Sequence, residues 1–141
     1  MVKEATSTHR ARVKWNADRE DRRAHTIELA DQRLEASGTA ALGGDPAKAD
    51  PEELFVASLS SCHMLWFISL ARAERQRVTA YEDEAEGTMD ATRFTSVVLR
   101  PRVSFDQDPG AERLIDLHHR AHQRCFIANS VSCPVTVEPR P

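Results

Sequence analysis

The chain has 141 residues and a mass of 15.8 kDa, the size of one ordinary domain, and its 19 basic and 22 acidic residues leave a net charge of −3. No basic excess points to nucleic acid or an anionic membrane, and 40% apolar with 29% charged residues excludes a disordered or collagen-like chain. Three cysteines are too few for a disulfide scaffold, and the N-terminal residues lack an apolar signal segment. We therefore expect one cytoplasmic domain over residues 1–141, with residues 1–8 as a flexible N-terminal segment.

The N-terminal third of the chain is predicted to form strands. Alternating apolar and polar side chains indicate strands over residues 9–15 and 24–30, and a short third strand over 33–36. A polar, charged turn separates the first two strands. Residues 38–50 are predicted as a loop because glycines and a proline interrupt any periodic pattern there.

A long helix is predicted from Asp50 to about Glu74. Asp50 suits the N-cap, and Pro51 suits the first helical position because the N–H it lacks would be unpaired there. The eighteen residues from Leu54 to Ala71 carry no formal charge, which is just long enough to raise the question of a membrane span. Several serines, a cysteine and a histidine in this stretch favour a buried core helix and no membrane.

The remaining elements complete an α+β pattern. Two long strands over residues 77–90 and 93–105 are joined by a turn at 90–92, and a second helix runs from near Pro109 to about Ile127, with Asn129 as its C-cap. Residues 134–137 form a short final strand. The order β-β-(β)-α-β-β-α-β predicts an α+β domain with antiparallel pairing.

Cys62 and Cys125 each fall on an apolar face of a predicted helix. Two packed core helices could bring these thiols together, and a redox pair, a metal site and two simple buried side chains all remain open. Cys133 is interpreted as structural. Glu52 precedes Cys62 by ten residues, about 15 Å along a straight helix, so both can serve one site only if a partner chain or a loop closes it. Alone, Glu52 is a first-turn residue that favours the helix dipole.

A metal site is the rival interpretation of the second helix. His118, His122 and Cys125 share one face at a spacing that suits zinc, and His119 adds a fourth candidate. The alternative is a solvated, mildly basic stripe beside neighbouring arginines. His63 follows the first cysteine directly and points about 100° away from it, so we do not expect it to accept the proton of that thiol.

Two segments resemble the motifs of the OsmC/Ohr family. Residues 50–63, with Asp-Pro-Glu-Glu-Leu followed by Ala-Ser-Leu-Ser-Ser-Cys-His, are similar to its first motif, and residues 125–135 are similar to its second. Residues 81–102 resemble the hairpin between them, so the likeness covers about residues 9–139, nearest to the OsmC-like branch. It implies the OsmC-like fold, with antiparallel sheets around two long core helices, in an intertwined homodimer with two sites at the interface.

The resemblance also implies an activity. The family consists of thiol-dependent peroxidases of the stress response, which reduce organic hydroperoxides to alcohols. Cys62 matches the peroxidatic cysteine, Cys125 the resolving cysteine and Glu52 the site glutamate. A Cys62 sulfenate and a Cys62–Cys125 disulfide then follow, with no cofactor beyond an external dithiol or thiol reductant.

The sequence departs from the family pattern at one point. The family uses an arginine from the N-terminal hairpin; Arg19, Arg22 and Arg23 lie in that turn, but the Gly-rich arginine motif is missing, so the arginine stays unassigned. A non-catalytic OsmC-like stress or binding protein, or a zinc-binding protein that uses the two helical histidines and the second cysteine, therefore remains an alternative. Apolar neighbours of the thiols would favour a fatty or aromatic hydroperoxide, namely Phe55, Leu59, Trp66 and Phe126.

Overall fold

The computed structural model describes residues 5–141, which divide into two compact units. The first unit ends at Glu52, and the second comprises Glu53–Pro141. Of the segment 1–8 predicted to be flexible, residues 1–4 lie outside the described part of the chain, and residues 5–8 form neither helix nor strand. The assignment of a single domain stays a prediction.

The first unit contains a three-stranded antiparallel sheet in the order β1-β2-β3. The strands are β1 Arg12–Lys14, β2 His25–Leu29 and β3 Gln32–Ala36, and a single 3-10 turn, Ala40–Leu42, follows them. The three predicted strands are confirmed. The first is shorter than predicted because only Arg12–Lys14 pairs with β2.

Helix α1 spans Pro51–Ala73, within a residue of the prediction at each end. In the described part of the chain it is the one helix that is long and apolar enough to cross a membrane, a test that the core helix of a soluble protein also passes. One face of α1 is buried, as expected of a core helix. That face consists of Leu59, His63, Phe67, Leu70 and Ala71.

The two long strands predicted after α1 are each broken in the middle. The four resulting strands are β4 Val78–Asp83, β5 Glu86–Met89, β6 Phe94–Leu99 and β7 Pro101–Phe105. The hairpin is confirmed, since β5 pairs with β6 and β4 with β7, both antiparallel. The prediction of two continuous strands was wrong, because the outer and inner pairs belong to different sheets.

Asp83 fixes this break at the end of β4. Its Oδ1 accepts the backbone N–H of Arg100 at 2.6 Å, and its Oδ2 accepts the hydroxyl of Ser60 on α1 at 2.5 Å. Pro101 follows at once and has no N–H to extend a ladder, so it begins a new strand. One carboxylate thus ties the helix to both halves of the hairpin.

Helix α2 spans Ala111–Arg124 and ends earlier than predicted. Cys125 leaves the helical conformation, with φ −63° and ψ 111°, and is the C-cap. Asn129, predicted as the cap, lies instead in a 3-10 turn, Ala128–Ser130. Both predictions were wrong because the carbonyl of Cys125 accepts the N–H of Asn129 at 3.0 Å, which closes a separate turn after the helix.

The last strand, β8 Val135–Val137, lies beside β6 in a three-stranded sheet of order β5-β6-β8. This pair is parallel, whereas the pairing of every other described strand is antiparallel. Two clusters of buried side chains form the core of the second unit around α1. One joins α1 to α2 and contains Phe67, Leu70, Ala71, Leu117 and Ala121; the other joins α1 to β6 and contains Leu59, Val97 and Leu99.

Candidate redox site

The two predicted cysteines lie on different elements of the second unit. Cys62 lies in the middle of α1 and is partly exposed, whereas Cys125, at the end of α2, has 1% of its surface exposed. Both are free thiols. A small solute can therefore reach Cys62, but it cannot reach Cys125 without a local rearrangement.

The turn after α2 holds the Cys125 thiol. Its Sγ accepts the backbone N–H of Ala128 at 3.4 Å, and the Cys125 N–H donates to the carbonyl of His122 at 3.3 Å. α2 therefore ends at this point because of local hydrogen bonds in the cap and the turn. The extended cap and the following 3-10 turn also direct the Cys125 side chain inward.

Cys62 is close enough to Cys125 to influence the pKa of that thiol. Burial raises the pKa of Cys125 to about 11, and the neighbouring Cys62 adds to the increase. Cys125 is consequently a protonated thiol at neutral pH. A partly exposed thiol beside a buried, protonated one can form an internal disulfide once the first is oxidised.

Cys133 is the third free thiol and packs in the core of the second unit. It is half-buried and lies against the core cluster of Leu59, Val97 and Leu99. Its predicted structural role agrees with that environment.

Aromatic side chains lie next to both thiols in sequence. Trp66, one turn after Cys62, meets the ring of Phe126 edge-on with centroids 5.4 Å apart, and the guanidinium of Arg124 lies 5.6 Å from the Trp66 ring. Phe126 is 66% exposed, so this group is accessible. The other two predicted apolar neighbours are used in the core: Phe55 packs on Phe94 at 4.6 Å, and Leu59 is fully buried.

A buried histidine pair, His63 and His118, is the feature that the sequence interpretation missed. His63 Nε2 and His118 Nδ1 are 3.0 Å apart, and the two rings are stacked within 6° of parallel. Burial lowers the pKa of each ring from 6.5 to about 4, and the charge of His122 contributes to the decrease at His63. The spacing of Leu59, His63 and Phe67, four residues apart on one buried face, is the signal that could have identified it.

These contacts do not support the zinc alternative. No group of three or more His, Cys, Asp or Glu side chains among residues 5–141 is arranged to hold a metal ion. The Nδ1 atom of His118 is already in a hydrogen bond with Nε2 of His63. The expectation of a solvated stripe was also wrong for His118, which is 4% exposed because it packs on Phe67 at 4.3 Å.

Glu52 and the candidate arginines belong to the first unit. Glu52 lies in the first turn of α1, and its Oε2 is buried without a hydrogen-bond partner among the described residues. Arg19 is paired with Glu35 at 2.9 Å. The carbonyl of Arg22 accepts the indole N–H of Trp15 at 2.8 Å, and the side chain of Arg23 lies against Gly38. A carboxylate oxygen without a donor is a place for an additional guanidinium or similar group.

The chain is similar to known proteins in both sequence and fold. A family model described as OsmC-like protein matches residues 43–140. A solved OsmC-like protein of unknown function from Vibrio cholerae is 38% identical, with a TM-score of 0.87 over 96% of this chain and 100% of that chain. The comparison with curated proteins finds no match.

Two more distant structures share the fold. An organic hydroperoxide resistance protein from Legionella pneumophila is 21% identical, with a TM-score of 0.74 over 96% of this chain and 97% of that chain. The organic hydroperoxide resistance protein OhrB of Bacillus subtilis is 20% identical, with a TM-score of 0.67 over 96% of this chain and 100% of that chain.

Proposed function

The chain belongs to the OsmC-like protein family, and from that premise we propose that it is a thiol-dependent peroxidase that reduces organic hydroperoxides to alcohols. The observation that carries the proposal is the proximity of a partly exposed Cys62 to a buried Cys125, close enough that Cys62 raises the pKa of the Cys125 thiol. Relatives that share the fold are described as organic hydroperoxide resistance proteins, which supports the same chemistry.

The proposed reaction begins at Cys62, because its thiol is the accessible one of the pair. The Cys62 thiolate attacks the terminal peroxide oxygen, the O–O bond breaks, and the alkoxide takes a proton and leaves as an alcohol. Cys62 is then a sulfenic acid. The oxidation is a two-electron step, and it needs no cofactor.

Cys125 completes the cycle in this proposal. Its thiol condenses with the sulfenic acid, which forms the Cys62–Cys125 disulfide and releases water. An external dithiol or thiol, as supplied by a reducing cytoplasm, returns the disulfide to two thiols. Because Cys125 is held protonated by burial, it must lose its proton during this condensation, and we expect resolution to be slower than oxidation of Cys62.

Glu52 is proposed to orient a guanidinium that holds the peroxide. The unpartnered Oε2 of Glu52 supports this role, since a buried carboxylate oxygen needs a donor. Which of the three hairpin arginines serves is left open by their contacts, although Arg19 already has Glu35 as its partner.

We also propose that the chain forms a homodimer and that its sites lie at the interface. The support is the outer face of α1, which is exposed and bears no charge from residue 54 to residue 71. The exposed residues on this face are Ala57, Ser61, Leu65 and Ser69. A second copy of the chain is the partner that would cover such a face.

Turnover of cumene hydroperoxide with a dithiol reductant tests the proposed chemistry. Cys62→Ser should remove turnover altogether, because a serine hydroxyl is not ionised at neutral pH and does not reduce a peroxide. Cys125→Ser should consume one equivalent of peroxide per chain and then slow sharply, since the sulfenic acid lacks its internal partner.

Cys133→Ser is the matched control, because that thiol packs against the core cluster of Leu59, Val97 and Leu99 and has no proposed part in the reaction. It should turn over like the unmodified protein. Wild-type activity in Cys62→Ser, or no activity in any form including the unmodified protein, would contradict the proposal and favour a non-catalytic OsmC-like binding protein.

A further inference from the structure

A basic cleft of about 360 Å³ lies where α1 ends and β4 begins. It is a feature of the second unit that the proposed peroxidase chemistry does not use. Three of its six lining residues are arginines and two are aliphatic. The lining residues are Ile68, Arg72, Arg75, Gln76, Arg77 and Val78.

The cleft is positively charged without local compensation. None of its lining residues is acidic, and no carboxylate of residues 5–141 forms an ion pair with Arg72, Arg75 or Arg77. The neighbouring Glu74 is bound to Arg120 at 2.6 Å. Asp106 meets this segment through its backbone N–H, which donates to the Arg77 carbonyl at 3.1 Å. Three exposed arginines without an ion-pair partner among the described carboxylates therefore line one concave surface.

The backbone holds one of these arginines in an unusual conformation. Arg75 has φ 59°, in the left-handed region that glycine adopts without steric cost. It ends α1 in a Schellman motif, in which the N–H of Gln76 donates to the Ala71 carbonyl at 2.8 Å and the Arg75 N–H donates to the Arg72 carbonyl at 3.0 Å. Arginine occupies the position that usually carries glycine, and this residue lines the cleft.

The donor set indicates the class of ligand. Each guanidinium is planar and offers up to about five N–H donors, which match the oxygens of a phosphate or carboxylate group. A phosphate monoester suits three guanidiniums better than a carboxylate does, because it has three terminal oxygens and a charge near −2. Ile68 and Val78 add apolar contact for an organic substituent, and the volume falls within the range of small-molecule sites.

We propose that the cleft formed by residues 68–78 binds a free phosphate monoester that carries a small apolar group. The proposal rests on the cleft alone, so its test is independent of the peroxidase chemistry. Titration of octyl phosphate into the reduced, full-length chain, followed by calorimetry, tests it. We expect saturable binding at one site per chain, with inorganic phosphate and octyl sulfate both binding more weakly.

Matched variants assign the binding to the cleft. Arg72→Gln and Arg77→Gln should each weaken octyl phosphate binding about tenfold, the loss typical of one charge-assisted contact. Arg113→Gln, at an exposed arginine of α2 outside the cleft, should leave it unchanged. Arg75→Gly should weaken binding and raise the thermal midpoint of unfolding, because glycine relieves the backbone while it removes the guanidinium.

Three results would overturn the proposal. The first is no saturable binding of octyl phosphate to the unmodified protein at millimolar concentrations. The second is an equal loss of binding in Arg113→Gln and the cleft variants. The third is binding to vesicles that contain phosphatidic acid with none to the free ester, which would assign the basic surface to a membrane instead.

Discussion

His63 and His118 are buried as a hydrogen-bonded pair, which forms only when at least one of the two rings is neutral. The bond between Nε2 and Nδ1 at 3.0 Å needs one nitrogen to donate and the other to accept, which two protonated rings cannot provide. Burial lowers the pKa of both rings from 6.5 to about 4, so the folded chain keeps them neutral where an unfolded chain would protonate them. Between about pH 4 and pH 6.5 the unfolded state therefore binds more protons than the folded state.

Stability should therefore fall as the pH drops from about 6.5 toward about 4. The free energy of unfolding should decrease by up to about 1.4 kcal/mol per pH unit for each histidine, because the unfolded chain gains a proton that the native pair excludes. Urea denaturation at a series of pH values measures this slope.

The variant His118→Gln should reduce the slope over this range, since one titrating ring is removed. The control His119→Gln, at the exposed neighbouring residue, should leave the slope as it is. A pH-independent stability in the unmodified protein, or an equal change in slope in both variants, would contradict the role assigned to the buried pair.

At the scale of elements, α1 was predictable from local signals, and the strands after it were not. Pro51 predicts the start of α1, and the uncharged stretch that follows it predicts the length of the helix. Both signals lie within the helix itself. The break in the hairpin depends on Asp83, whose partners Ser60 and Arg100 are distant in sequence. Four acidic residues lie between residues 82 and 86, but nothing local in the sequence shows which carboxylate turns inward.

The end of α2 also depends on contacts that local sequence signals do not show. Apolar spacing placed Leu117, Ala121 and Cys125 correctly on one buried face. It could not show that Cys125 leaves the helix, because the cap depends on hydrogen bonds to Ala128 and Asn129 that only the folded turn provides.

The exposed, uncharged face of α1 leads to a prediction about assembly. Leu65 is 60% exposed at the centre of this face. If a second copy covers it, Leu65→Asp places an unpaired carboxylate in the interface, at a cost of several kcal/mol. The dimer dissociation constant should then rise at least about a hundredfold, as measured by analytical ultracentrifugation.

Ile115→Asp provides the matched control, because Ile115 is 65% exposed on α2. It should leave the dimer intact. A monomeric unmodified protein, or equal weakening of the dimer by both substitutions, would contradict the proposal that the interface lies on α1.

At the scale of the whole molecule, family membership and the thiol pair are two separate lines of support. The sequence motifs predicted the OsmC-like fold, and the match of the family model over residues 43–140 confirms it. From spacing alone the two cysteines remained open to redox, metal and packing roles, because only the tertiary packing of α1 on α2 brings residues so far apart in sequence together. Their different exposure then suggests which thiol reacts first.

We propose above that Cys62 and Cys125 form one redox pair. One equivalent of cumene hydroperoxide added to reduced, metal-free protein, followed by peptide mass spectrometry, tests it most directly. We expect a Cys62–Cys125 disulfide within seconds, with Cys133 still a free thiol. Survival of both Cys62 and Cys125 as thiols in a large excess of peroxide would contradict it.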